Sequence, residues 1–376
     1  MKVLVAMDSY KGSISAPDAC RAVEKGVKKF LPNADVVLMP MADGGEGTVD
    51  AFCSACGGKY IFANVSDVFG KPVSARYCAV HDNTVVIETA AASGIAGIPT
   101  SELDPMRATT FGTGALIRHA IENGYVNIIL GLGSSATNDG AMGALEALGV
   151  KFYDENGALL RGCGANMIKT ASIDASEIVT AARNVHITLA CDVKNPFFGK
   201  TGAAYVYAPQ KGATSEQVQL LDAGLEHFAA VISKCGGKDI SKTEGAGAAG
   251  GLAGGLLAFT DAAVRSGFEV LAEACGLEKL MAECDIVFTG EGRTDEQTAF
   301  GKLPSCIAAM AKKHGCGAVC LSGAVKGDMS ALYDVGMTAV FPIPTGAMTL
   351  EDAMAKADEN LARCAENAIR LFAFAQ

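Results

Sequence analysis

Short apolar runs that stop at Gly, Ser or Asp recur along the chain and read as buried strands of a parallel sheet. Residues 3–7 form the first such run, followed by a loop and an amphipathic stretch over 15–30. A second short strand over 35–40 leads through a glycine-rich loop to a helix starting near Thr48. This strand–helix–strand–helix opening is typical of a parallel sheet covered on both faces. The pattern changes near residue 60, where 60–66, 73–80 and 84–89 are β-rich with no helix between them. Gly70-Lys71-Pro72 and His81-Asp82-Asn83 supply the turns, so an antiparallel meander opens a different domain.

Further along, the pattern predicts a helix over 107–123, a strand over 126–130 and a helix over 139–148. Strands at 186–191 and 203–207 precede a long helix over 215–235, and 245–259 reads as a glycine-rich loop entering a buried helix. From about residue 262 the opening rhythm returns, with strands at 285–289, 318–322 and 339–344. The helices there are 303–314, a short segment near Met329, and 350–374. Two strands at the front and three at the back make a five-stranded doubly wound sheet. The expected organisation is one α/β domain from residues 1–60 and 262–376, with a mixed α/β domain over 61–261 inserted into it. No repeat of solenoid length and no long polar linker interrupts this reading.

Composition narrows the function classes. Half of the 376 residues are hydrophobic and 19% are charged, which excludes extended disorder and allows a large core. The net charge of −10 and the absence of Trp count against nucleic acid as a partner, but leave room for a local cationic pocket for a small anion. Thirteen Cys, an odd number spread from Cys20 to Cys364, read as reduced thiols of a cytoplasmic protein. Cys53-x-x-Cys56 lacks a second ligand pair nearby, with Cys316 and Cys320 partners only if folding brings them close, so it reads as helix packing. The opening apolar run is too short for a secretory signal, and 245–259 is too short and too rich in Gly and Ala for a membrane span. A soluble protein without a membrane partner is expected.

Five loops at strand ends or helix starts concentrate glycine and charge. They are Asp8-Ser9-Tyr10-Lys11-Gly12-Ser13, Asp43-Gly44-Gly45-Glu46-Gly47-Thr48, the 131–139 loop with Gly131, Gly133, Ser134, Ser135, Asn138 and Asp139, Asp192-Val193-Lys194-Asn195-Pro196, and Gly290-Glu291-Gly292-Arg293-Thr294-Asp295. Ligands collect at the carboxyl ends of strands in α/β sheets, and glycine lets backbone N–H groups approach an anion. Acids beside Lys and Arg suit a metal and an anionic substrate together. Taken singly, each loop is also explained by helix capping; Asp43 or Thr48 could simply cap the following helix.

Standard motifs separate the remaining options. Gly199-Lys200-Thr201 ends like a Walker A loop, but Lys194 stands where its first glycine belongs, so the P-loop is absent. Gly131-x-Gly133-x-x-Ala136, with Asp154 beyond, matches a dinucleotide fingerprint after a strand, and Gly245-x-Gly247-x-x-Gly250 matches without one. An NAD(P)-dependent dehydrogenase of a small hydroxy acid is therefore an alternative. Ser134, Ser135, Asn138 and Asp139 oppose it, because they put polar groups where a pyrophosphate wants bare backbone, and they suit a triphosphate with Mg2+. The five histidines never pair at ligand spacing, and no Gly-x-Ser-x-Gly elbow appears. Glu88 has either a pocket role or a strand-end role.

At these loops the sequence resembles the bacterial glycerate kinase family, which phosphorylates D-glycerate with ATP. The matching stretches are Asp8 to Ala16, Met41 to Thr48, Gly112-Thr113-Gly114, Gly131 to Gly140, and Ala190-Cys191-Asp192-Val193-x-Asn195-Pro196. Pro209-Gln210-Lys211-Gly212-Ala213, Gly245 to Gly251, and Thr289 to Thr298 continue the series in family order. The chain departs from the family at Met7, usually Pro, at Tyr10, usually Phe, and at Ser134, usually Gly. The resemblance implies a flavodoxin-like doubly wound domain with a second α/β domain inserted, ATP and Mg2+ as cofactors, D-glycerate as substrate, and the 2-phosphate as product. A non-catalytic binder of sugar acids is the third reading.

Phosphoryl transfer asks mainly for positioning and charge neutralisation, which sets the expected roles. The 131–139 loop would cradle ATP through backbone N–H groups and Ser135. Lys11 and Arg293 would neutralise the transferring group and the glycerate carboxylate. Asp43, Glu46 and Glu291 are candidates for Mg2+. Asp192 is the candidate general base, with Asp8 as its rival. Gly44, Gly45, Asn195 and Asp295 would bind substrate or orient neighbours. Oligomeric state is not read from these features.

Overall fold

Val3, Leu4, Val5 and Ala6 are all buried, so both faces of the first strand are covered and its residues must be apolar without alternation. The computed structural model describes residues 1–42, 44–45, 47–81, 83–181 and 185–374. They divide into a first unit of Met1–Asp43, Asp50–Gly57 and Phe268–Gln376, and a second of Gly44–Val49 and Gly58–Gly267.

The first unit is built on five parallel strands, in spatial order Ala339–Pro342, Gly317–Ser322, Ile286–Glu291, Lys2–Met7 and Asp35–Leu38. Val3 lies opposite Ile286 and Val5 opposite Phe288. These residues, with Met7, Val319 and Leu321, pack against helices Ala16–Phe30 and Ala357–Phe374. The alternate residues Leu4, Ala6, Val287, Ala318 and Cys320 are buried on the opposite face. Local signals fix the helix ends. The Ser15 hydroxyl accepts from the Asp18 N–H at 3.3 Å, and Lys28 and Lys29 complement the dipole in the last turn. Helix Leu303–His314 begins beside Pro304 and ends at Gly315, whose φ of 71° suits a glycine C-cap.

The second unit has a six-stranded sheet in the order Asp261–Arg265, His186–Ala190, Asn127–Gly131, Thr84–Glu88, Pro72–Ala79 and Lys59–Ser66. The first four are parallel, and the last two add the antiparallel meander. A small antiparallel sheet of Lys151–Tyr153, Leu159–Leu160 and Ser172–Asp174 was not foreseen.

Three expectations need correction. Residues 203–207 form a helix, Ala203–Tyr207, not a strand. Ala203, Ala204 and Ala208 are buried while Val206 is exposed, which is helical spacing and not alternation. The boundary expected at 262 falls inside the edge strand Asp261–Arg265, which pairs with His186–Ala190, so residues 262–267 go with the second unit. The segment 350–374 is two helices, Leu350–Ala355 and Ala357–Phe374. The cysteines are free thiols. Among the described residues no cluster of three or more His, Cys, Asp or Glu is arranged to hold a metal, and no helix is long and apolar enough to cross a membrane.

Helices Ala16–Phe30 and Ala357–Phe374 meet at Gly26, where an added Cβ would lie 1.9 Å from the Ala362 carbonyl oxygen. Gly to Ala within a helix ordinarily gains up to about 1 kcal/mol. Here the forced separation costs roughly 1–3 kcal/mol and outweighs that gain. Gly26→Ala should therefore lower the urea midpoint of unfolding; a raised midpoint would contradict this packing.

Candidate active site

In the second unit, strands Thr84–Glu88, Asn127–Gly131 and His186–Ala190 end in register, with Glu88 and Ala190 on either side of Gly131. The chain leaving Gly131 runs against the backbone of Gly44 and Gly45. The Gly133 N–H donates to the Gly44 carbonyl at 3.0 Å. An added Cβ on Gly133 would lie 2.3 Å from the Gly45 Cα, and one on Gly131 would lie 2.8 Å from the Gly44 oxygen. The structure thus brings together four of the predicted glycines, and close backbone approach is the reason they are glycine. Asp43 and Glu46 lie outside the described residues. Glu88 accepts from the Val49 N–H at 2.6 Å, in the first turn of helix Thr48–Ala55, so its carboxylate serves a helix start.

Ser134 sits at φ 58°, the left-handed region where a side chain is strained. The turn is held because the Ser134 carbonyl accepts from the Ile95 N–H at 2.9 Å and the Ala136 N–H donates to the Ser93 carbonyl at 2.9 Å. Beyond it, Ser135, Thr137, Asn138 and Asp139 are all buried. The Thr137 hydroxyl and both amide atoms of Asn138 are buried without a hydrogen-bond partner among the described residues, as is the Thr89 hydroxyl. Orphaned buried polar atoms are costly, and a polar ligand that supplied their partners would remove that cost.

The carboxylate of Asp139, expected to bind a nucleotide, is engaged with the protein itself. Its carboxylate accepts from the Thr110 N–H at 2.8 Å, the Thr110 hydroxyl at 2.9 Å, the Gly143 N–H at 3.2 Å and the Ala141 N–H at 3.3 Å. Burial pushes this carboxyl up, and those donors oppose the shift. Asp139 ties the loop to the starts of helices Phe111–Glu122 and Met142–Ala147. Lys211, not among the predicted site residues, is buried beneath the same loop. Its ammonium donates to Ser135 Oγ and to the Thr137 carbonyl, each at 2.7 Å. Burial lowers its pKa to about 7, against the opposing pull of Asp139.

Neither dinucleotide pattern has its expected geometry. A dinucleotide turn opens directly into a helix, whereas the helix after Gly133 begins only at Met142. Gly247 and Gly250 are packing positions: added Cβ atoms would lie 2.3 Å from the Pro196 oxygen and 2.1 Å from the Thr137 oxygen. The Gly140 N–H donates to the Gly250 carbonyl at 3.1 Å, so this segment forms a floor for the loop.

Asp192 is exposed just beyond strand His186–Ala190. Asn195 is committed to its own turn: its amide donates to the Thr201 carbonyl at 2.8 Å and accepts from the Tyr207 hydroxyl at 2.6 Å.

The first unit brings the other candidates to the carboxyl ends of two adjacent strands. The Asp8 N–H donates to the Gly290 carbonyl at 3.0 Å, and the Asp8 carboxylate accepts from the Ser9 N–H at 2.6 Å. Tyr10 is buried and donates its hydroxyl to the Leu321 carbonyl at 2.6 Å. Lys11 is exposed. Glu291 accepts from the hydroxyls of Thr298 at 2.8 Å and Thr294 at 3.2 Å, both on one oxygen. Burial pushes its carboxyl up, while those hydroxyls and Lys302 act against the shift. The Arg293 guanidinium lies 3.6 Å from the Asp295 carboxylate, and Lys302 lies 3.4 Å from it. Asp295 also caps the turn Glu296–Ala299. A cavity of about 550 Å³ opens here, lined by Arg293, Lys302 and Lys326 against Asp295 and Glu296, with Gln297 and Gly327. Lys302 and Lys326 were missed because neither carries a motif of its own. The excess of cations suits an anionic ligand.

The glycerate kinase family model matches residues 3–373. A Bacillus subtilis (strain 168) protein named glycerate kinase is 42% identical over 98% of this chain and 96% of its own length. An Escherichia coli (strain K12) protein named glycerate 2-kinase is 40% identical over 98% of this chain and 97% of its own. The crystal structure of a Salmonella typhimurium LT2 protein, provisionally named glycerate kinase 2, matches with a TM-score of 0.89 at 40% identity, covering 100% of this chain and 99% of that one.

Two stability experiments check the buried groups under the loop. Asp139→Ala strands several donors at once and should cost about 3–5 kcal/mol in urea unfolding; a loss near zero would contradict the clamp. Lys211 is the opposite case in sign. Between pH about 7 and 10.5 an unfolded chain keeps the Lys211 proton that the folded chain has released. Unfolding free energy of the wild type relative to Lys211→Met should therefore rise with pH across that window; a pH-independent difference would contradict the shifted lysine.

Proposed function

The chain belongs to the glycerate kinase family and is a kinase, and from that premise we propose that it transfers the γ-phosphoryl group of ATP to D-glycerate, giving 2-phosphoglycerate and ADP. The observation that carries the reading is the 40% identity, over nearly the whole of both chains, to the Escherichia coli glycerate 2-kinase, which also supports the choice of the 2-hydroxyl. We read the first unit as a flavodoxin-like doubly wound domain into which the second is inserted. Its strand order, with the second strand outside the first and the later strands following on the other side, supports this. The free thiols support a reducing, cytoplasmic setting.

The nucleotide is assigned to the 131–138 turn, whose orphaned Asn138 amide and Thr137 hydroxyl favour a polar ligand. Ser135 and the backbone of this glycine-tight loop hold phosphate oxygens, while Asp139 keeps the turn in place from below. Arg293 takes the glycerate carboxylate, where its planar fork gives two parallel bonds, and Lys11 neutralises charge on the transferring group. Asp192 accepts the proton of the attacking hydroxyl; its exposed carboxylate at a strand end fits a group that must meet substrate. Asp8, half-buried with its carboxylate accepting from the Ser9 N–H, is the rival base. Asn195 and Asp295 orient their own turns. Bound Mg2+ would supply further neutralisation of donor phosphate charge. Glu291 fits such an ion through the carboxylate oxygen that accepts no hydrogen bond from the described residues, and Asp43 and Glu46 are assigned with it from the sequence. The dehydrogenase alternative lacks support, since its fingerprint does not open a helix.

Purified protein with MgATP and D-glycerate should release ADP only when both are present, and EDTA should stop it. Phosphorus–proton coupling in the product should place phosphate on the 2-position. Glycerate-dependent NAD(P)H change without ADP release would overturn the kinase reading, and tight glycerate binding without turnover would favour a binder. Asp192→Asn should lower kcat by about 10²- to 10⁴-fold with the melting temperature preserved; near-normal turnover would remove Asp192 as the base.

A further inference from the structure

Lys211 is 2% exposed, and among the described residues no carboxylate lies within ion-pair distance of its ammonium. A buried, unpaired lysine is unfavourable, so its retention needs a reason beyond packing. Its hydrogen bonds give one, because both go to the turn that carries the orphaned polar groups. By accepting from Lys211, Ser135 Oγ keeps its own proton free to donate, and no protein acceptor for that proton lies among the described residues. The second bond fixes a peptide plane. In a trans peptide the carbonyl and the following N–H point in opposite directions. With the Thr137 carbonyl drawn to Lys211 and lying above Gly250, the Asn138 N–H is turned away from that floor. The Asn138 N–H has no protein acceptor among the described residues either.

We propose that Lys211 is a positioning residue for nucleotide phosphate: it holds Ser135 and the 137–138 peptide so that the Ser135 hydroxyl and the Asn138 N–H face an anion together. The inference rests on the kinase reading of this loop and adds to it a residue that never touches the substrate. Preset donors need no rearrangement when the anion arrives, which is where such a residue acts. When protonated, Lys211 also adds a favourable field for phosphate beneath the turn.

The test compares wild type, Lys211→Met, Lys211→Arg and Ser135→Ala by calorimetric titration with MgADP and by steady-state kinetics. Lys211→Met should weaken MgADP binding and raise KM for ATP at least about tenfold, leaving KM for D-glycerate within about twofold. Lys211→Arg should recover part of the loss. Ser135→Ala should weaken MgADP binding alone but add little on top of Lys211→Met, because the two share one interaction. A purely structural lysine would instead lower the melting temperature and disturb both KM values alike, and that result overturns the proposal. So does unchanged MgADP affinity in Lys211→Met. Should Lys211→Met fail to fold, unchanged MgADP affinity in Ser135→Ala overturns it by itself. Wild-type protein that binds MgADP in this Lys211-dependent way yet releases no ADP with D-glycerate would leave Lys211 in place and overturn the kinase reading. Wild type that does not bind MgADP overturns both.

Discussion

Backbone packed on backbone is the constraint on which the candidate site of the second unit depends. Gly131 and Gly133 meet Gly44 and Gly45 at distances that leave no room for a Cβ, and Gly250 approaches the Thr137 carbonyl equally closely. Chain segments this close bury peptide groups and short polar side chains that must then find partners. Asp139 serves one set, accepting from Thr110, Ala141 and Gly143. Lys211 serves another, donating to Ser135 and Thr137. The Asn138 amide and the Thr137 hydroxyl find no partner among the described residues, which is why the proposed nucleotide is assigned to this turn. A rigid turn with a few unspent donors is what binding a phosphate requires, since the reaction itself asks for little beyond positioning and charge.

The central strands were legible because a parallel sheet buried on both faces demands continuous apolar runs, as at Val3–Ala6 and Ile286–Phe288. Elements outside that regime were not. The edge strand Asp261–Arg265 buries neither end and carries charge at both, so no apolar run announces it. Ala203–Tyr207 has the residue types of a strand, and its helical burial comes from tertiary packing. The break between Ala355 and Ala357 is a local change of direction inside a stretch that is helix-forming throughout.

The site was legible to the level of loops, less so to the level of atoms. Glycine and charge at strand ends located the segments that the two units carry at their sheets' carboxyl ends. What a loop carboxylate does there depends on its partners, which sequence does not list: Asp139 holds backbone from a buried position and Asp295 caps a turn. Lys211 shows the limit most clearly. Lysine is the residue type least expected in a core, and the Pro209-Gln210-Lys211-Gly212 stretch carries no sign that its ammonium points inward. Its meaning comes from the two acceptors found at its tip.

Nucleotide phosphate at the 131–139 turn is the assignment on which the proposed roles of Ser135 and Lys211 depend. Amide hydrogen exchange of the intact protein, read by mass spectrometry with and without MgADP, tests this most directly. Slowed exchange in peptides spanning 131–139 with MgADP, and no such slowing with D-glycerate alone, is the predicted result. Unchanged exchange across 131–139, with protection by MgADP confined to other segments such as 290–302, would contradict it.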